Sequence, residues 1–247
     1  MMLKNKLAII TGANRGIGAE IIETFAENGA NIIACARASN KEFHQKCIDL
    51  SLRYKIDIFN IFFDLSSPDS IKKAINDIVS LRRQVDILVN NAGIGSGSLF
   101  QMTSLQELHH VFEVNFFGQV QFTQSISRLM CRQKSGSIIN MASTAGLLGE
   151  PGMTAYGASK AALILATRTL AAEVGSNGVR VNAIAPSVTH TDMYEQMEAG
   201  ARERLIQSSA LKRAAQPREI ANVALFLASE LSTYVTGQVM RVDGGII

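Results

Sequence analysis

Seven short runs of apolar, largely β-branched residues alternate with helix-length stretches along the chain, and this alternation restricts the fold more than any other feature. The runs lie at 7–11, 31–36, 56–63, 85–90, 137–142, 179–185 and 238–242. Helical patterns occupy 16–28, 41–53, 67–82, 103–132, 154–176 and 217–229. Within each run the apolar residues are continuous rather than alternating, the pattern of a strand buried on both faces. Strand–helix repetition of this kind predicts a doubly wound, Rossmann-type α/β sheet of about seven parallel strands with helices on both faces. The 247 residues suit one such domain, spanning 1–247. At 47% hydrophobic and 18% charged, the chain can build a continuous core. Ligands of such folds sit beyond the carboxyl ends of the strands, so the loops that follow strands carry the functional reading. Residues 187–211 interrupt the rhythm: they are polar, partly helical, and placed where a lid over substrate would lie.

Composition excludes several classes of function. The net charge is +3 and the basic residues are dispersed, which leaves no stripe for nucleic acid. Arg128, Arg132 and Lys134 recur together and read as a solvated helix end. Cys35, Cys47 and Cys131 lie far apart with no C-x-x-C spacing, against a disulfide framework or zinc site and in keeping with a reducing cytoplasm. The four histidines show no metal-binding spacing, so no metal is expected. The N-terminal lysines lead into a short apolar run that ends at Thr11-Gly12, a strand rather than a signal peptide, and no run is long enough to span a bilayer.

The segment Thr11-Gly12-Ala13-Asn14-Arg15-Gly16-Ile17-Gly18 joins the first predicted strand to the first helix. Its glycines permit a tight turn and close approach of backbone N–H groups to an anion, and the helix behind it aims its positive end at the same point. Strand before and helix after make this a dinucleotide pyrophosphate site. An NAD-preferring fold places an acid at the end of the second strand. Here the chain reads Ala34-Cys35-Ala36-Arg37-Ala38, without one. Arg37, with Arg15 from the glycine loop, is expected to converge on a 2′-phosphate, so the cofactor is read as NADP(H).

Tyr156 and Lys160 stand at i and i+4, on one helix face. A phenol titrates near 10, too high to exchange protons readily at neutral pH, and a nearby cation lowers that value. Tyr156 then serves as acid to a ketone or base to an alcohol. Ser143, just past the fifth strand, lies at the same sheet edge. Asn90-Asn91-Ala92-Gly93 closes the fourth strand, with Asn90 read as a tie between neighbouring strands.

With these motifs together, and with Asn115, Val181-Asn182-Ala183-Ile184-Ala185-Pro186, Thr191-Asp192-Met193 and the ending from Thr236-Gly237-Gln238 to Asp243-Gly244-Gly245, the sequence resembles the short-chain dehydrogenase/reductase family over essentially its whole length. Within the family it is most similar to the 3-oxoacyl-carrier-protein reductases. The resemblance implies that Tyr156 is the proton donor or acceptor, Lys160 lowers its pKa and binds the nicotinamide ribose, Ser143 polarises the carbonyl, and Asn115 holds a relay water. It implies a cofactor cleft of Gly12, Asn14, Arg15, Gly16, Ile17, Gly18, Arg37, Asp64, Leu65, Asn91, Ala92, Gly93, Pro186 and Thr191, the last two with Ile184 at the nicotinamide end.

Three departures stand out. Ser187 replaces a usual glycine, which strains the loop if that residue needs positive φ. Ala214-Ala215 also replace a common glycine. The turn Ser176-Asn177-Gly178 lacks the basic residue that meets an acidic carrier protein, leaving Lys134 as half of the docking charge. Ser143, Leu147, Met153, Tyr156, Val188 and Met193 are expected at the substrate, a mostly apolar set suited to a ketone or 3-oxoacyl group. The apolar helix face at Ala161-Ala162-Leu163-Ile164-Leu165-Ala166, with Phe112, Phe116 and Phe117, implies partner subunits, in the family a homotetramer built as a dimer of dimers. The leading expectation is a cytoplasmic NADPH-dependent reductase of 3-oxoacyl thioesters in fatty acid synthesis. The alternatives are an enzyme of another secondary alcohol, such as a sugar or steroid, and a non-catalytic NADP(H) sensor.

Overall fold

The computed structural model describes residues 1–246. Seven strands form one sheet: β1 (Leu7–Thr11), β2 (Asn31–Ala36), β3 (Ile58–Phe62), β4 (Ile87–Asn90), β5 (Gly136–Met141), β6 (Val179–Pro186) and β7 (Val239–Val242). Every pair is parallel, and the order is β3-β2-β1-β4-β5-β6-β7, so the strand sequence reverses between β1 and β4. The helices are α1 (Gly16–Glu27), α2 (Lys41–Tyr54), α3 (Pro68–Ser80), α4 (Leu105–Phe112), α5 (Gly118–Gln133), α6 (Thr154–Val174), α7 (Asp192–Gln196), α8 (Ala199–Ser208) and α9 (Pro217–Ala228).

The continuous apolar runs become strands because both sheet faces are covered. Ala8 and Ile10 of β1 belong to one apolar layer with Ile21 and Phe25 of α1, Phe43 of α2 and Ile220 of α9. Leu7 and Ile9 belong to the opposite layer, with Ile71 of α3 and Phe122 and Ile126 of α5. Helix starts follow local chemistry: the Asn40 side chain accepts from Phe43 N, and Ser67 caps α3, whose Pro68 needs no hydrogen-bond partner for its nitrogen.

Several boundaries differ from the sequence pattern, each for a tertiary reason. β3 begins at Ile58 rather than 56 because Ile56 closes α2: its N–H donates to Ser51 O, and its carbonyl accepts from Ser51 Oγ. β4 begins at Ile87 because the Gln133 side chain takes both the N–H and the carbonyl of Val85. The expected helix over 103–132 contains a π-helical turn, Glu113–Phe117, between α4 and α5, and this turn places Asn115. The strain anticipated at Ser187 does not arise, since its φ is not positive and its N–H donates to Val242 O at 3.2 Å. The segment 187–211 carries α7 and α8 and is tied at both ends: His190 N donates to Ala215 O at 2.9 Å, and Leu211 N to Gly244 O at 3.0 Å.

Candidate active site

The carboxyl ends of β1 and β4 form one wall of a crevice. Thr11 Oγ1 accepts from both Asn91 N and Ala92 N at 3.0 Å and donates to Val89 O. The Asn91 amide donates back to the carbonyls of Thr11 and Gly12. Gln119 Nε2 holds the Ala92 carbonyl at 2.7 Å. Gly12, at φ +65, leaves no room for a side chain: a Cβ would fall 2.8 Å from Ala92 Cα. A Cβ on Gly18 would fall 2.1 Å from the Gly12 carbonyl. The glycine loop is therefore pressed against the β4 loop at the amino end of α1, the arrangement a pyrophosphate requires. Thr11 as the clasp and Gln119 as a brace were not singled out in the sequence; Thr11 sat inside the glycine motif, and Gln119 carried no signal.

Around this crevice, Asn14 is exposed at the loop tip, while Ile17 is half-buried against the α1 core. Asp64 folds onto Ser66, accepting from its N–H at 2.8 Å and its hydroxyl at 2.7 Å. Those bonds, and the charges of Arg37 and His110, hold its carboxyl below the usual range. Leu65 turns its side chain inward, and its carbonyl lies where a Cβ on Gly118 would collide. Arg37 is exposed past the end of β2. Arg15 does not wait beside it: Arg15 Nη1 pairs with Asp192 Oδ2 at 3.0 Å, because the start of α7 brings a carboxylate over the glycine loop. Pro186 ends β6, buried, and Thr191 packs its methyl beside Gly16.

Beyond β5 the sheet delivers the chemical groups. Ser143 follows the strand and starts a single helical turn, accepting from Ala145 N at 3.2 Å. That turn lies hard against α6. A Cβ on Gly157 would stand 2.6 Å from the Ala145 carbonyl, and one on Gly146 would stand 2.8 Å from Ala161 N. Two glycines thus set the separation of Ser143 from the helix that carries Tyr156 and Lys160.

Lys160 Nζ is buried and donates to Met141 O at 2.8 Å, 5.7 Å from the centre of the Tyr156 ring. Burial lowers its pKa to about 8. For Tyr156 the structure corrects the expectation of a lowered pKa. Burial pushes the phenol upward, a hydrogen bond with Ser143 opposes that, and the Glu150 charge adds to the rise. Desolvation outweighs every favourable contact on the phenolate, and one of the three ammonium donors goes to a backbone carbonyl. The pair therefore stays neutral phenol beside cation at neutral pH.

Asn115 is fully buried in the π-helical turn. Its Oδ1 accepts from Ile94 N at 2.8 Å, and its Nδ2 donates to Ile94 O and to Ser159 Oγ. The side chain is thus occupied, and it braces the β4 loop against α6. Gly93 sits between it and Lys160: a Cβ there would lie 3.1 Å from Asn115 Oδ1 and 3.4 Å from Lys160 Nζ. Asn90 ties strands and helices, donating to Thr123 Oγ1 and Asn140 Oδ1.

The rim is apolar. Met193 of α7 packs over Gly95, Ser98 pairs with Met153 in a short parallel bridge, Leu147 is exposed and Val188 is half-buried. Glu150, on the same rim between Ser143 and Tyr156, was not singled out in the sequence. It is half-buried, burial raises its own pKa, and its side chain has no hydrogen-bond partner among the described residues.

Comparison with known proteins identifies relatives over the whole chain. A family model described as enoyl-(acyl carrier protein) reductase matches residues 12–247. A 3-oxoacyl-(acyl-carrier-protein) reductase FabG of Thermotoga maritima is 38% identical over 248 residues, covering 100% of both chains. Among solved structures, a 7 alpha-hydroxysteroid dehydrogenase complexed with NADH and 7-oxo glycochenodeoxycholic acid superposes with a TM-score of 0.92 at 32% identity, covering 99% of this chain and 95% of that one. An L-sorbose reductase from Gluconobacter frateurii, complexed with NADPH and L-sorbose, superposes with a TM-score of 0.90 at 29% identity, covering 99% and 97%.

Proposed function

This chain belongs to the short-chain dehydrogenase/reductase family, and from that premise we propose that it uses NADPH to reduce 3-oxoacyl thioesters to secondary alcohols. It is an oxidoreductase acting on CH–OH groups and their ketones. The observation that carries carbonyl reduction is the neutral Tyr156 phenol beside Ser143, with the Lys160 ammonium buried behind it, and the full-length likeness to 3-oxoacyl-carrier-protein reductases supports the acyl substrate. Ser143 orients a carbonyl oxygen, and Tyr156 gives that oxygen its proton as negative charge develops. A phenol held above its ordinary pKa keeps this proton at neutral pH until the carbonyl oxygen gains charge. Lys160 sets a positive charge below the phenolate that remains. Delivery of the proton to oxygen fits a ketone better than an enoyl double bond, where it ends on carbon.

The nicotinamide supplies the hydride when bound. The loop over 12–18, Asn91, Ala92, Gly93, Pro186, Thr191, Tyr156 and Lys160 would hold the coenzyme, and the absence of an acid at the end of β2, with Arg37 exposed there and Arg15 within the loop, favours NADPH over NADH. Residues 187–211 act as the lid. Asn115 shapes the proton path through its bonds to Ile94 and Ser159. The apolar rim of Leu147, Met153, Val188 and Met193 accepts the acyl part. Exposed Arg128, Arg132 and Lys134 offer a basic end of α5 to an acidic carrier protein. Exposed Phe117 and Leu165 are covered by partner subunits in a homotetramer. Free thiols at Cys35, Cys47 and Cys131 suit the cytoplasm.

The test follows NADPH absorbance with acetoacetyl thioesters beside sugar and steroid ketones, for wild type and Tyr156→Phe. Loss of roughly 10²–10⁴ in kcat, with NADPH binding kept, is expected for a missing general acid. NADPH binding without turnover of any ketone would make the chain a sensor instead.

A further inference from the structure

One ion pair joins the glycine loop to the lid. Arg15 Nη1 meets Asp192 Oδ2 at 3.0 Å, and both side chains are largely exposed, at 68% and 58%. Next to it, the Thr191 methyl lies 3.2 Å from where a Cβ on Gly16 would stand, so the backbones of loop and lid are in close register. Asp192 is the first residue of α7, and neither its carboxylate nor the Arg15 guanidinium has another side-chain partner among the described residues. The one cation that the glycine loop can offer to a coenzyme phosphate is thus already held by a carboxylate of this chain.

We propose that Asp192 is a specificity-determining residue for the coenzyme: by competing for Arg15 it sets how strongly a 2′-phosphate is preferred over a bare 2′-hydroxyl. The proposal rests on the reading of Arg15 as a phosphate ligand given above. A guanidinium serves a carboxylate or a phosphate with the same fork of N–H donors, so the two acceptors are exclusive when both are close. Binding of NADPH exchanges one ion pair for another, and only the difference appears as affinity. NADH lacks the 2′-phosphate and so leaves the Arg15–Asp192 pair intact. Exposed ion pairs are weak, and their release shifts an equilibrium by roughly one-and-a-half- to fivefold.

Calorimetric titration of NADPH and of NADH into wild type, Asp192→Asn, Arg15→Ala and the double variant tests this. Asp192→Asn should bind NADPH roughly two- to fivefold more tightly with NADH affinity unchanged. In the Arg15→Ala background the same substitution should change neither. Asp192→Ser, which likewise removes the charge with a smaller polar side chain, should repeat the result if the asparagine variant folds poorly. Unchanged NADPH affinity in both Asp192 variants, or equal tightening of NADH, overturns the competition. Arg15→Ala that binds NADPH as tightly as wild type refutes the phosphate-ligand reading beneath it.

Discussion

Replacing Lys160 with methionine should stabilise the fold while removing turnover. The ammonium is 3% exposed, and burial holds its pKa at about 8 against an ordinary 10.5. Below pH 8 native and unfolded chains both carry the proton, and the native state bears the full cost of a buried charge. Between about 8 and 10.5 the unfolded chain binds more protons than the native one, so stability rises with pH across that window. The separation of the two values corresponds to roughly 3 kcal/mol against the native state at neutral pH. Methionine removes that cost but leaves the Met141 carbonyl without the 2.8 Å bond from Nζ, a loss of ~1–2 kcal/mol. The net gain is about 1–2 kcal/mol, or ~2–8 °C in Tm for a chain of this size. Thermal melts from pH 7 to 10 at one protein concentration, with NADPH-linked turnover on the same samples, measure both effects. The wild-type curve should climb towards that of the variant as pH rises. A variant that melts below wild type at pH 7, or a difference that ignores pH, would refute the claim that this site holds a destabilising charge for catalysis.

Three further outcomes follow from the same geometry. Gly157→Ala places a methyl 2.6 Å from the Ala145 carbonyl; it should cost ~1–3 kcal/mol in stability and, by lifting the Ser143 turn from α6, roughly 10²-fold in kcat, and full turnover would contradict the spacing role. Glu150→Gln removes a charge that raises the Tyr156 pKa; alcohol oxidation, which needs the phenolate, should extend to lower pH, and an unmoved pH–rate profile would show that this carboxylate does not act on the phenol. Leu165→Glu puts a charge on the outer face of α6, where Leu165 is exposed; light scattering should show a smaller assembly for the variant than for wild type, and equal masses would place any subunit contact elsewhere.

Much of the fold was legible because burial on both faces leaves a strong mark on sequence. Leu7 to Thr11 and Asn31 to Ala36 became strands over the expected residues. The limits of β3 and β4 were not legible, since Ser51 and Gln133 act on them from another element. At the site, the spacing of Tyr156 and Lys160 placed both on α6, and the glycine loop marked the crevice. The direction of the phenol's pKa shift was misjudged. A list of neighbours in sequence counts the helpful cation but not the lost water, and here desolvation is the larger effect.

The sequence by itself determined the parallel sheet and the crevice beyond β1 and pointed to the candidate reacting groups, because these follow from short-range periodicity and from side-chain chemistry. Only the tertiary structure decided which partner each charged or polar group keeps. Lys160 bonds to Met141, Asn115 to Ile94 and Arg15 to Asp192, and the last two pairs are 21 and 177 residues apart along the chain. Hydrogen bonds and ion pairs act over a few ångströms, so residues far apart in sequence compete for the same group only after packing has brought them together.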